Sequence, residues 1–401
     1  MVLPFDLAEY AARLEKVKGA METKGVDVLC ITNPSNMNYL SGYDAWSFYV
    51  HQLLVVLKEE HQPYWIGRRQ DANGAKLTTW LDEHHIIYYP DDYVQSKIKH
   101  PMDFVTGILR SWGRHRDRIG FEMDNYYFTG RCYEQIKIGI PDARILDTTT
   151  LVNEVRMIKS HKEIAYMRNA ARIVEKAMDT GVKAIRAGER ENEVVAKIYH
   201  AQLSGTEQFG GDYPAIVPLM PSGVKTSAPH LTWTDSRYGE NDLVILELAG
   251  CYRRYHAPLA RTVKIGMPNE RERTITETVK EGIHEVLQMI KPGVTCSEAA
   301  AVWRNVIAKH GIEKHDRLGY SVGLSYPPDW GEHTASIREG DDTVFQPNMT
   351  FHFIPGIWQD DCGIEISETI VITENGCETL ANYPRELFTT YTEDGHAHES
   401  V

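Results

Sequence analysis

The chain has 401 residues, too many for one ordinary hydrophobic core, so two domains are the starting expectation. Its 43 basic and 56 acidic residues leave a net charge of -13, which argues against a polyanion-binding surface and excludes nucleic acid as an expected partner. The six cysteines, Cys30, Cys132, Cys251, Cys296, Cys362 and Cys377, form no CxxC pair and read as reduced, intracellular thiols.

The opening run MVLPFDLAEYAARLEKV turns charged and helical at once, without the apolar core of a signal peptide. No stretch is long enough to span a bilayer, so a cytoplasmic protein with no membrane partner is expected. Leu7, Tyr10, Leu14, Val17 and Met21 mark one helical face over residues 6–24, and the β-rich run Val26 to Ile31 follows. Further β-like runs at 53–57, 86–89, 118–121 and 145–147 alternate with polar or helical stretches. They predict an α/β N-terminal domain over residues 1–155, with no phosphate-binding glycine loop.

The second half opens on a helix start, Ser160 with Glu163 as a capping box, continued by Ile164, Met167, Ala171, Val174 and Met178 on one face. The same signal recurs at Thr295 and Glu298 after Pro292-Gly293. Strands are predicted at 243–248, 259–265, 350–353 and 364–372, and helices over a curved, largely antiparallel sheet make an α+β domain over 156–390. Residues 391–401 form a polar tail.

The segments NPSNMNYLSGY, LVNEVRMIKSHKEIAYMRNAARIVEKAM, MTFHFIPGIW and GIEISETIVIT resemble the creatinase, prolidase and methionine aminopeptidase family, over nearly the whole chain. The resemblance implies a C-terminal domain of the pita-bread fold. Peptidase members hold two metal ions with Asp, Asp, His, Glu and Glu. Placed on Arg261-Thr262, on Gly319 to Gly323 and on Pro355-Gly356, those five positions read Glu247, Pro258, Tyr320, Ile354 and Ser367. One acid in five cannot make a dimetal centre, so no metal and no other cofactor is expected.

Strand parity turns Glu365 the same way as Ser367, and His352 the same way as Ile354, toward the vacated cavity. With Glu247 and Tyr320 they compose a set suited to a cation bearing N–H donors, such as an amidinium. His230, in Ala228-Pro229-His230-Leu231, matches the catalytic His of creatinase and is the expected proton-transfer residue. Glu247 and Glu365 are expected to hold the cation, one of them alternatively attacking as a nucleophile. Creatine itself is a poor fit, because Ala260 and Ile354 replace the acids that creatinase uses on it.

Three longer runs, Tyr43 to Gln52, Gly67 to Gly74 and Gly319 to His333, are similar to family members that open the cyclic amidine ectoine. That likeness implies hydrolysis of ectoine, or of hydroxyectoine, to N-acetyl-L-2,4-diaminobutyrate. It also implies a homodimer in which Trp46, Tyr49 and Arg68 contact the substrate. For Trp46 and Tyr49 a dimer-interface role stays open, for Glu332 the choice lies between substrate contact and a loop cap, and for Tyr320 and His352 between site and core filler. Rival functions are an Xaa-Pro-type aminopeptidase, which needs the missing metals, and a non-catalytic pita-bread binding protein.

Overall fold

The computed structural model describes residues 3–390, and the tail expected at 391–401 lies outside the described residues. Two compact units emerge, one ending at Arg156 and the next beginning at Met157. No helix among the described residues is long and apolar enough to cross a membrane.

The N-terminal unit begins with α1 (Leu7–Thr23), where the Asp6 side chain accepts from the Glu9 amide and the stripe of Tyr10, Leu14, Val17 and Met21 is buried. There follow β1 (Val28–Ile31), α2 (Pro34–Ser41), β2 (Leu53–Leu57), β3 (Tyr64–Arg68), α3 (Ala72–Thr78), β4 (Ile86–Tyr89), α4 (Pro101–Ser111), β5 (Arg118–Phe121), α5 (Gly130–Gly139), β6 (Arg144–Asp147) and α6 (Leu151–Arg156). The strands form one mixed sheet in the order β4-β3-β2-β1-β5-β6. One face packs Cys30, Val55, Ile66 and Phe121 against Val105 and Leu109 of α4 and Ile136 of α5.

The NPSN run is structural. Asn33 caps α2, and the buried Glu122 carboxylate accepts from the amides of Thr32 and Asn33, both at 2.7 Å, and from the Asn36 side chain at 2.5 Å.

The C-terminal unit contains α7 (His161–Ala184), α8 (Glu191–Ser204), β7 (Leu243–Tyr252), β8 (Tyr255–Lys264), α9 (Glu270–Met289), α10 (Cys296–Lys309), β9 (Gly319–Val322), β10 (Gly331–Ile337), β11 (Thr350–Phe353), β12 (Gly356–Trp358), β13 (Gly363–Glu365), β14 (Glu368–Ile372), β15 (Cys377–Thr379) and β16 (Phe388–Thr389). Both expected capping boxes form, Ser160 with Glu163 on α7 and Thr295 with Glu298 on α10. β7 and β8, ten residues each, pair as an antiparallel hairpin, and β9, β11 and β14 run side by side in the sheet β10-β9-β11-β14-β15.

The single strand expected over 364–372 is two strands. β13 pairs with β12, whereas β14 pairs with β11. At the break Ser367 turns to β8: its amide donates to the Ala260 carbonyl and its Oγ accepts from the Ala260 amide at 2.7 Å. That local exchange with β8 ends one ladder before the next begins.

Candidate active site

Four strands converge on a cavity of about 850 Å³ in the C-terminal unit, lined among others by His230, Glu247, Tyr320, Ile354 and Glu365. Glu247 lies midway along β7, paired with Ala260 of β8, and its backbone exchanges both hydrogen bonds with Leu219 at 3.0 Å. Glu365 ends β13. Thr262 clamps its backbone, accepting from the Glu365 amide at 2.9 Å and donating to its carbonyl at 3.0 Å.

Both carboxyls are buried, Glu365 completely. Burial pushes each above the ordinary carboxylate range, and the charge of Glu247 pushes Glu365 further. Neither carboxylate oxygen of Glu365 has a hydrogen-bond partner among the described residues. A buried acceptor pair left open toward a cavity is costly unless a ligand or a proton satisfies it.

Tyr320 forms a wall, held by a chain of hydrogen bonds. Trp330 Nε1 donates to its hydroxyl at 2.7 Å, His352 Nδ1 bonds the same oxygen at 3.0 Å, and His352 Nε2 bonds Ser367 Oγ at 2.8 Å. Burial, then the nearby Glu247, raises the phenol well above its usual value, so it stays protonated. Burial also lowers the His352 imidazole to about 3, leaving a neutral ring. His352 thus braces Tyr320 from behind, whereas Tyr320 itself meets the cavity.

His230 is exposed on the cavity rim. Glu332, expected at the substrate or as a loop cap, has its carboxylate buried in an ion pair with Lys159 Nζ at 2.6 Å and is not among the residues that line the cavity. Trp46 and Tyr49 are large exposed aromatics of the N-terminal unit, 56% and 65% accessible. Arg68 already pairs with Asp71, Nε to Oδ2 at 3.0 Å, and donates to the Tyr49 hydroxyl at 3.2 Å.

Arg317 was not anticipated from sequence. It lines the cavity with its guanidinium 4.4 Å from the centre of the Tyr320 ring. Lys314 lies over Trp358, another wall residue, and donates to the Gly356 carbonyl at 2.6 Å. Both precede the Gly-Tyr-Ser-Val-Gly run by a few residues, which is the only signal that sequence offers for them.

The five positions that hold metal in peptidases of this architecture do not fit a dimetal centre. Pro258 has no ligating side chain, Ile354 is apolar, and Ser367 and Tyr320 are tied to His352. Among the described residues, no group of three ligating side chains clusters in this cavity.

The match to the family model "Metallopeptidase family M24" spans residues 165–374, and "Creatinase/Prolidase N-terminal domain" matches residues 13–158. A curated ectoine hydrolase from Halomonas elongata is 48% identical, covering 96% of this chain and 98% of its own length. The chain belongs to metallopeptidase family M24. Within that family, the Xaa-Pro dipeptidase of Pyrococcus furiosus is 28% identical over 94% of this chain and 99% of its own. The crystal structure of the Pyrococcus horikoshii prolidase superposes with a TM-score of 0.79 at 26% identity, covering 94% of this chain and 100% of its own. The C-terminal unit therefore has the pita-bread fold, and the M24 protein is a hydrolase acting on C–N bonds.

Proposed function

We propose that this M24 protein hydrolyses the cyclic amidine of ectoine without a metal ion. The observation that carries the reading is the pair of buried carboxyls, Glu247 and Glu365, the latter with both oxygens unanswered among the described residues, on a cavity that also presents His230 and Tyr320. An amidinium supplies the N–H donors and the positive charge that such a pair lacks. Likeness to the Halomonas elongata ectoine hydrolase supports the substrate.

In this reading water adds to the amidine carbon while His230 takes its proton, and the ring C–N bond breaks as that proton passes to the departing nitrogen. The product is N-acetyl-L-2,4-diaminobutyrate. Glu247 and Glu365 hold the cation, and the Tyr320 phenol donates to the substrate. The substrate carboxylate falls to Arg317, whose guanidinium faces the cavity, rather than to Arg68, whose charge Asp71 answers. Hydroxyectoine is accepted to the extent that the cavity walls admit one more hydroxyl. We place Trp46 and Tyr49 at the substrate or at the contact of a homodimer, in line with their exposure.

The test follows ectoine ring opening by NMR with a strong chelator present. Turnover is expected to persist under chelation and to vanish in His230→Ala. Turnover that requires added divalent metal would overturn the metal-free reading, and cleavage of Xaa-Pro dipeptides instead of ectoine would replace the substrate.

A further inference from the structure

The N-terminal unit gathers two imidazoles and a thiol that the proposed reaction does not use. Cys132 sits in the first turn of α5, His100 caps α4, and His51 lies just before β2. One ligating atom from each lies within 4.8 Å of the other two. The sulfur is 3.6 Å from His51 Nδ1 and accepts from the Thr129 hydroxyl at 3.3 Å. The His51 and His100 rings are 5.0 Å apart, centre to centre.

We propose that His51, His100 and Cys132 form a zinc site. A thiolate with two imidazoles is a donor set for a borderline ion and is unsuited to magnesium or calcium, which take oxygen ligands. Tetrahedral zinc, with Zn–N near 2.0 Å and Zn–S near 2.3 Å, holds its ligand atoms roughly 3.4 Å apart. The Cys132–His51 pair is already at about that spacing, and the third ligand closes by a small side-chain rotation. Cys132 is 1% exposed while both histidines are half-buried, so the imidazoles open a path for the ion and for a water as fourth ligand. The surroundings are those of a supported site: Thr129 addresses the sulfur, and His51 hydrogen-bonds the Tyr127 backbone.

Binding has one local cost. His100 Nδ1 now accepts from the Met102 amide at 3.1 Å, so the proton of the neutral ring is on Nε2. Ligation through Nε2 moves that proton to Nδ1 and gives up the bond to Met102. The other half of the capping box, the His100 amide donating to Asp103 at 2.7 Å, is kept.

The experiment uses the full-length protein, stripped of metal, with zinc titrated in competition against a chromophoric chelator and cobalt(II) as the spectroscopic probe. One zinc per chain is expected, together with a thiolate-to-cobalt charge-transfer band. Cys132→Ser should lose the band, and His51→Ala and His100→Ala should each weaken zinc binding by more than about 10-fold. Circular dichroism of the three variants separates ligand loss from misfolding, and the half-exposed His51 gives a variant that spares the core if Cys132→Ser does not fold. Absence of the cobalt band in the wild-type protein, or undiminished zinc affinity in folded Cys132→Ser or His51→Ala, would overturn the proposal.

Discussion

Tyr320 meets the cavity with a hydroxyl whose orientation is imposed by Trp330 and His352. Removing that oxygen, as in Tyr320→Phe, keeps the ring in place and deletes the bond to substrate together with the two bonds from Trp330 and His352 that orient the hydroxyl. We expect kcat for ectoine to fall roughly 10- to 100-fold with a smaller change in KM, as for loss of one preorganised donor. Arg317 should behave in the opposite sense. It grips a part of the substrate that does not react, so Arg317→Ala should raise KM about 10-fold with kcat less affected. Steady-state kinetics on both variants decides, and an unchanged KM in Arg317→Ala would remove it from substrate binding. The substituted metal positions were legible from sequence because each follows from a short run with fixed spacing. Arg317 and Lys314 were not, since a loop cation belongs to a cavity only through the path of the chain around it.

At the scale of elements, α7 packs on the β7–β8 hairpin that carries Glu247, and their fit depends on one missing side chain. A Cβ at Gly250 would stand 1.9 Å from the Ala170 carbonyl oxygen of α7. Backbone cannot yield as a flexible side chain can, so Gly250→Ala should cost about 3 kcal/mol or more, or prevent folding. Ser160→Ala, which deletes only the cap at the start of the same helix, should cost about 1 kcal/mol. Urea unfolding of the two variants ranks them, and equal costs would mean that α7 stands off from β7 more than its packing shows. Capping boxes and apolar stripes made α7 and α10 visible in the sequence, because they are local signals. The break between β13 and β14 was invisible for the opposite reason. Ile364 to Ile372 reads as one strand, and only the pull of Ala260 on Ser367 splits it. Strand parity from Ser367 brings Glu365 to the cavity even across that break, whereas parity from Ile354 does not hold for His352: Ile354 lies past the end of β11, and His352 sits behind Tyr320.

For the molecule as a whole, the open carboxyls of Glu365 and Glu247 connect function to stability. Each has a folded-state pKa above the ordinary value of 4.5, chiefly through burial. Below that value both the folded and the unfolded chain carry these groups protonated, and they cost nothing. As pH rises past it, the unfolded chain releases its protons while the folded one retains them. Stability is then lost with rising pH until the folded carboxyls ionise as well, at a slope of at most about 1.4 kcal/mol per pH unit for each proton retained. Glu365→Gln keeps the shape of the protonated acid and cannot ionise in either state. It also relieves Glu247 of a like charge. The variant should match the wild type in thermal midpoint near pH 4.5 and exceed it by a margin that grows toward pH 8, while losing ectoine turnover. A constant difference across that range would show Glu365 to be ionised throughout. A margin that grows without loss of turnover would make the buried acid a burden without a catalytic return.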